Sequence, residues 1–248
     1  MNYLKNFCLN YFILFGQIKG PLKLDKNLFH KFLATGVDPL PNFEGPKHLK
    51  SGRGKDHPKY GRWVQAFAGY YKPDIIVEVG TYAGGTAVGW AQALKTNKKG
   101  ELICVDNDSY TSGIYPETTK KNILNVGLED KKFTLKSGDS KIIIPSLAKE
   151  LKGKVDIYLV DGDHNYKGAL ADIENGLPML KPNGFLLVHD LDKNRKMLEA
   201  TEEHPYPVYE AFTKIIDDTG FDWCILKFIR KHLGIIKVRP SSINPKNL

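Results

Sequence analysis

Cysteine is scarce in this chain. The three present, Cys8, Cys104 and Cys224, are scattered and odd in number, and no CxxC occurs. That excludes a disulfide framework and a cysteine-built zinc site. It fits a reducing, cytoplasmic setting. Long apolar runs are also missing. The nearest, FCLNYFILFG from Phe7 to Gly16, is interrupted by Asn10 and falls short of the roughly 20 residues a span needs. No small-residue cleavage site follows it, so it reads as a helix packed on the domain. A helix lying on a membrane surface is the less favoured reading. No internal repeat or low-complexity tract is present. With 42% hydrophobic and 26% charged residues in 248, the chain can bury a real core, and disorder is not the default.

The net charge of +8 permits an acidic partner without naming one. The local basic excess, GPKHLKSGRGKDHPKYGR from Gly45 to Arg62, reads as a solvated face. No nucleic-acid-binding module accompanies it, so nucleic acid is not indicated.

The pattern divides the chain into a helical N-terminal extension and loop (1–60), one α/β domain (61–240) and a short tail (241–248). In the extension, Leu24, Leu28, Phe32 and Leu33 have helical spacing, and a loop rich in Pro, Gly and Lys runs from Val37 to Tyr60. A helix is expected over Gly61–Tyr71. From there strands and helices alternate. IIVEVG, ELICVD, KFTLKSGD, VDIYLVD and GFLLVHD read as strands, with helices between them. Such alternation means a parallel sheet covered on both faces. Two last strand-like runs, FDWCILKFI and LGIIKVRP, are too close together for a crossover helix and should form an antiparallel hairpin. Oligomeric state is not readable, although the apolar N-terminal helix offers an interface for a homo-oligomer.

In an open parallel sheet, ligands bind at the carboxyl ends of strands. The first strand runs into EVGTYAGGT, a Gly-rich strand-to-helix turn containing Glu78, Gly80, Thr81, Gly84 and Gly85. Such turns bring backbone close to a ligand at the positive end of a helix. It is not GxGxxG, which weakens a dinucleotide reading. The second strand ends in Asp106, 26 residues after Gly80, where an acid can accept hydrogen bonds from ribose hydroxyls. The third ends in SGDS, placing Asp139 and Ser140 at the same edge. There Ser140 serves either an adenine ring or the start of a helix. The fourth and fifth strands deliver Asp161, Asp163, His164 and then His189, Asp190, Asp192. Carboxylates from two adjacent strand ends suit a hard divalent cation. Asp163 reads as a turn residue, and Asp172 and Glu174 as the exposed face of a helix. Tyr166 reads as packing at that helix's start.

Taken in order, EVGTYAGGT, Asp106, SGDSKIIIPSL and VDGDHNY followed by HD resemble class I S-adenosylmethionine-dependent methyltransferases over about residues 62–240. Within that class the likeness is to metal-dependent O-methyltransferases of the catechol and the macrolide-sugar or cephalosporin-pathway types. The resemblance implies a Rossmann-like, seven-stranded, mostly parallel sheet with a C-terminal antiparallel hairpin and helices on both faces. It implies S-adenosyl-L-methionine bordered by Glu78, Gly80, Thr81 and Gly84, with Asp106 at the ribose and Asp139 and Ser140 at the adenine. Asp161 matches a metal-ligand carboxylate, with His189 and Asp190 standing where those relatives have two further acids. His164 matches their general base, making His164 and Asp161 the catalytic pair. The implied reaction methylates a hydroxyl of a small molecule or glycan sugar, assisted by a divalent cation such as Mg²⁺ or Mn²⁺. His189 departs from the pattern, because imidazole is a poor Mg²⁺ ligand. Two other readings stay open. One is a metal-independent methyltransferase on another acceptor. The other is an inactive protein that keeps the cofactor fold for binding.

Overall fold

The computed structural model describes residues 19–25, 27–28, 31, 57–109, 113, 115–193, 198–227 and 232–240. The apolar segment from Phe7 to Gly16, nearly all of the basic stretch, most of the expected helix after Leu24, and the tail lie outside these residues.

Seven strands form one sheet. They are β1 (Ile75–Val79), β2 (Glu101–Asp106), β3 (Phe133–Ser137), β4 (Val155–Val160), β5 (Leu180–Val188), β6 (Asp222–Lys227) and β7 (His232–Lys237). Their order is β3-β2-β1-β4-β5-β7-β6. Strands β1 to β5 pair in parallel, and β7 is antiparallel to both β5 and β6. The expected fold class is borne out, closing hairpin included. The β6–β7 connection has only 228–231 in which to turn, so a parallel return was not available to it.

Among the described residues, six whole α-helices cover the sheet: α1 (His57–Tyr71), α2 (Gly85–Asn97), α3 (Glu117–Asn125), α4 (Ser140–Glu150), α5 (Tyr166–Gly176) and α6 (Pro207–Thr219). The strands alternate strictly between two cores. Ile76, Leu102, Ile157, Leu159, Phe185 and Leu187 face a cluster shared with Trp63, Phe67, Trp90 and Leu94 of α1 and α2. Val77, Val79, Tyr158, Val160, Leu186 and Val188 face Ile144, Leu147, Ala169, Ile173, Phe212 and Ile215 of α4, α5 and α6. Burial on both faces is why these strands read as continuous apolar runs. The chain near residue 19 blunts the outer edge of β6. Lys19 bridges Ile225, and Leu22 N–H donates to the Trp223 carbonyl at 3.0 Å.

Two local expectations change, and a proline is accommodated inside a helix. Helix α1 starts at His57, four residues before Gly61, so Tyr60 is a buried helical residue on the face of Trp63, Val64 and Phe67. Pro145 neither begins nor interrupts α4. The helix starts at Ser140 because Asp139 caps it, accepting from Lys141 N–H at 2.9 Å. Asp172 is fully buried instead of exposed. It sits one position before Ile173 on the stripe that faces the sheet, and only Glu174 points outward.

The direction of chain progression reverses between β1 and β4. The helices following these two strands leave on opposite faces, which opens a crevice at their carboxyl ends. Every site residue inferred from the sequence lies along this edge.

Candidate active site

The crevice has two halves. On the β1–β3 side, backbone geometry dominates. Gly80 has φ +82° and donates its N–H to the Val105 carbonyl at 2.9 Å. A Cβ there would lie 2.0 Å from the carbonyl oxygen of Asp161, so only glycine lets the two strand ends meet. Gly84, at φ +84°, is the N-cap of α2, and its N–H donates to the Thr81 carbonyl at 2.9 Å. Asp106 braces this turn. One carboxylate oxygen accepts from Tyr82 N–H and the other from Asp108 N–H, both at 2.7 Å. Each oxygen keeps a second lone pair for a ligand hydroxyl. Burial raises the Asp106 pKa above the usual value, partly offset by those two N–H donors. Glu78 and Thr81 lie buried below the turn. Burial, reinforced by the Asp161 charge, pushes the Glu78 carboxyl well up, so it favours the protonated form. Asp139 and Ser140 open α4 at the end of β3. This cradle of positive-φ glycines, a helix N-terminus and a braced acid fits a nucleoside cofactor with a charged amino-acid arm.

On the β4–β5 side, charged side chains face one another. Val79 and Val160 carbonyls accept from Asp161 and His189 N–H, at 2.9 and 3.0 Å, and align the two strand ends. His189 Nδ1 lies 3.0 Å from Asp161 Oδ1 and 3.6 Å from Asp190 Oδ1. Its ring stacks on Tyr60 of α1, with centroids 4.4 Å apart. His189 is only 4% exposed. Burial opposes its charge, but Asp161 and Asp190 outweigh this and raise its pKa well above the ordinary histidine value. Asp161 moves the opposite way. Burial would raise it, yet His189 and His164 hold it below the usual carboxylate range. His189 therefore favours the charged form and pairs with Asp161. Asp190 adopts φ +60°, rare for a non-glycine residue, and this turns its carboxylate back toward the strand end.

His164 reaches in from the β4–α5 loop. Its Nε2 is 3.4 Å from Asp190 Oδ2 and 3.7 Å from Asp161 Oδ1, buried and without a hydrogen-bond partner. Burial lowers its basicity, but Asp161, Asp190 and Glu199 more than compensate and raise its pKa. Asp161, His164 and Asp190 each offer a donor atom, all within 4.8 Å of one another. Among the described residues this trio has metal-ligand spacing, and His189 Nδ1 lies beside the same two carboxylates. Two carboxylates and an imidazole fit a divalent cation such as Mn²⁺ better than Mg²⁺.

The other candidates fall into place around this group. Asp163 makes a turn, accepting from Asn165 N–H at 3.1 Å, and pairs with Lys141 at 3.1 Å. Tyr166 stacks on His204, 3.8 Å between centroids and 9° between planes. Asp192 is half-buried and outside the converging trio. Reading the sequence missed Tyr60, Glu199 and His204. Tyr60 could have been found, since it continues the helical spacing of Trp63, Val64 and Phe67. Glu199 and His204 carry no local pattern.

Fold and motif order are those that the resemblance to class I methyltransferases implied. The family model described as a methyltransferase domain matches residues 77–191, which run from β1 to just past Asp190. Over these residues the chain matches a methyltransferase domain, in line with what its ordered motifs implied. It is 26% identical over 149 residues to a catechol O-methyltransferase of Niastella koreensis, covering 60% of this chain and 63% of that protein. The chain therefore spans just under two thirds of that relative. Two solved structures share the fold. An O-methyltransferase from Bacillus cereus, in complex with SAH, superposes with a TM-score of 0.60 at 13% identity, covering 87% of this chain and 92% of that one. The O-methyltransferase TomG from Streptomyces achromogenes, in complex with SAM and involved in tomaymycin synthesis, gives 0.59 at 14%, covering 94% and 96%.

Proposed function

We propose that the protein is an S-adenosylmethionine-dependent O-methyltransferase acting on a hydroxyl of a small molecule or a glycan sugar. The observation that carries this reading is His164 Nε2, buried and unpartnered beside Asp161 and Asp190, on the same sheet edge as the glycine cradle. A hydroxyl is a weak nucleophile near neutral pH. It needs a base within hydrogen-bond reach and a positive charge near its oxygen. His164 Nε2 supplies the base, taking the hydroxyl proton as oxygen attacks the sulfonium methyl group. Thioether product and methylated acceptor leave together with one proton on His164. Glu78, Gly80, Thr81 and Gly84 hold the methionine end of the cofactor, Asp106 the ribose, and Asp139 with Ser140 the adenine side. The remaining contribution is alignment of oxygen and methyl.

Asp161 and Asp190 would hold a divalent cation, with His189 paired behind Asp161. When bound, such an ion lowers the pKa of an acceptor hydroxyl. Metal assistance is thus the finer form of the proposal, and it rests on the Asp161 and Asp190 carboxylates, with His164 Nε2 left to act as the base. A cytoplasmic location is proposed from the cysteine usage alone. Among the described residues, no helix is long and apolar enough to cross a membrane.

Calorimetry with S-adenosylmethionine tests the cofactor; absence of binding at millimolar concentration refutes the proposal. Methyl transfer to a panel of phenols, sugars and glycosides tests the reaction, with and without EDTA. Transfer that EDTA leaves unchanged removes the cation and keeps the base.

A further inference from the structure

Helix α1 precedes the first strand in the chain, yet its start reaches the edge where the site lies. The first turn carries Tyr60, only 3% exposed, in one cluster with Trp63, Val64 and Phe67. The Tyr60 ring lies on the face of the His189 imidazole, with 4.4 Å between centroids and 25° between planes. At its edge the same imidazole presents Nδ1 to Asp161 Oδ1 at 3.0 Å. A ring held by one edge contact can still tilt about that contact, and a second ring packed on its face removes the freedom. We propose that Tyr60 is a positioning residue of the methyl-transfer site, whose ring fixes His189 and through it the orientation of the Asp161 carboxylate. The inference rests on the reading of Asp161 as a carboxylate that turnover needs.

The placement of Tyr60 is itself fixed. The next residue, Gly61, meets α2 at Gly89, where a Cβ would stand 2.3 Å from the Gly61 carbonyl oxygen and 2.7 Å from a Val64 methyl group. Helices packed this closely leave α1 little room to slide. Helix α2 is the one capped by Gly84, at the glycine cradle. The start of α1 is thus seated on the cradle helix and, one residue away, on the ring that pairs with Asp161. Asp161, Glu78 and Asp190 all lie within electrostatic reach of the Tyr60 hydroxyl, so the phenol stands where the two halves of the crevice meet. The role falls to the ring and not to the hydroxyl, because the stacked face is what touches His189.

Imidazole C–H resonances of the full chain, labelled with ¹³C-histidine, read the stack directly. A proton held over the face of a phenol ring is shifted upfield. The His189 resonances, assigned by their loss in His189→Gln, should therefore move downfield in Tyr60→Leu at the same pH and stay in place in Tyr60→Phe. In turnover, Tyr60→Leu should lower kcat roughly 10-fold and change the S-adenosylmethionine KM by less than about 2-fold, and Tyr60→Phe should restore kcat. Resonances that do not move in Tyr60→Leu, or an unchanged kcat, overturn the proposal. A comparable loss in Tyr60→Phe also overturns it, by moving the role to the hydroxyl. Where Tyr60→Leu does not fold, the urea-unfolded wild type becomes the reference, and a His189 ring with no upfield displacement from it overturns the proposal. Failure of the wild type to methylate any acceptor would instead remove the reading of Asp161, while the resonances still decide whether Tyr60 holds His189.

Discussion

At the ends of β1, β2 and β3 the ligand-facing groups are mostly backbone, and the side chains brace them. Asp106 holds two N–H groups, Asp139 caps a helix, and Gly80 is empty where a Cβ would strike Asp161. At the ends of β4 and β5 the arrangement is inverted. Backbone only aligns the strands, and five side chains of opposite or variable charge face one another: Asp161, His164, His189, Asp190 and Glu199. The first half is rigid because covalent geometry and paired amides leave few alternatives. The second half is poised, since each group's charge depends on its neighbours. A cofactor shared across a whole fold suits the former construction, and an acceptor peculiar to one protein suits the latter.

This contrast can be broken most severely at Gly80. Gly80→Ala combines a left-handed φ with a clash against fixed backbone, so a loss of roughly 4 kcal/mol is expected, seen as a collapse in melting temperature. Asp161→Ala should act on the other half alone. Turnover should fall about 1,000-fold while calorimetric affinity for S-adenosylmethionine changes little. Loss of cofactor binding in that variant would mean the two halves are not separable.

Asp172 sharpens the comparison, because it lies beneath both. It is fully buried, neither oxygen has a hydrogen-bond partner, and Oδ2 is 3.1 Å from where a Cβ on Gly162 would stand. Burial raises its pKa to about 6, against smaller opposing effects of Ser140 and Lys141. Its folded pKa lies above its unfolded one, so its stabilising contribution is complete below about pH 4 and is lost as pH rises through 6. The loss is at most about 3 kcal/mol. Asp172→Asn should abolish that part of the pH dependence in urea unfolding between pH 4 and 7; an unchanged slope would show that Asp172 stays ionised. The smallest effect is expected at His204→Ala, which removes the Tyr166 stack. About 1 kcal/mol of stability should be lost, and cofactor affinity should be untouched.

Much of the fold was legible because its causes are local. Strands buried on both faces appear as short apolar runs, and Gly220 ends α6 at a left-handed φ of +61°, where the sequence signals a stop. The β1–β3 side was legible for the same reason, since its glycines and strand-end acids shape the turns within a few residues. Helix α1 was read short at its start because Tyr60 follows a run of Lys, Gly and Pro that resembles a loop. The exposed reading of Asp172 failed because burial of an acid is decided by packing, here of α5 on the sheet, and not by polarity.

By itself, then, the sequence determined the α/β class, the strand–helix alternation, the closing hairpin and the candidate groups along one edge, because each follows from hydrophobic period, turn chemistry or chain length. Only the tertiary structure decided which of those groups meet. It turned His189 toward Asp161 and against Tyr60, and put His164 with Asp161 and Asp190. It also brought Glu199 to the far side of the imidazole. Those contacts join residues dozens of positions apart, and nothing in local patterning encodes the distance between side chains that only a folded sheet and its crossovers bring together.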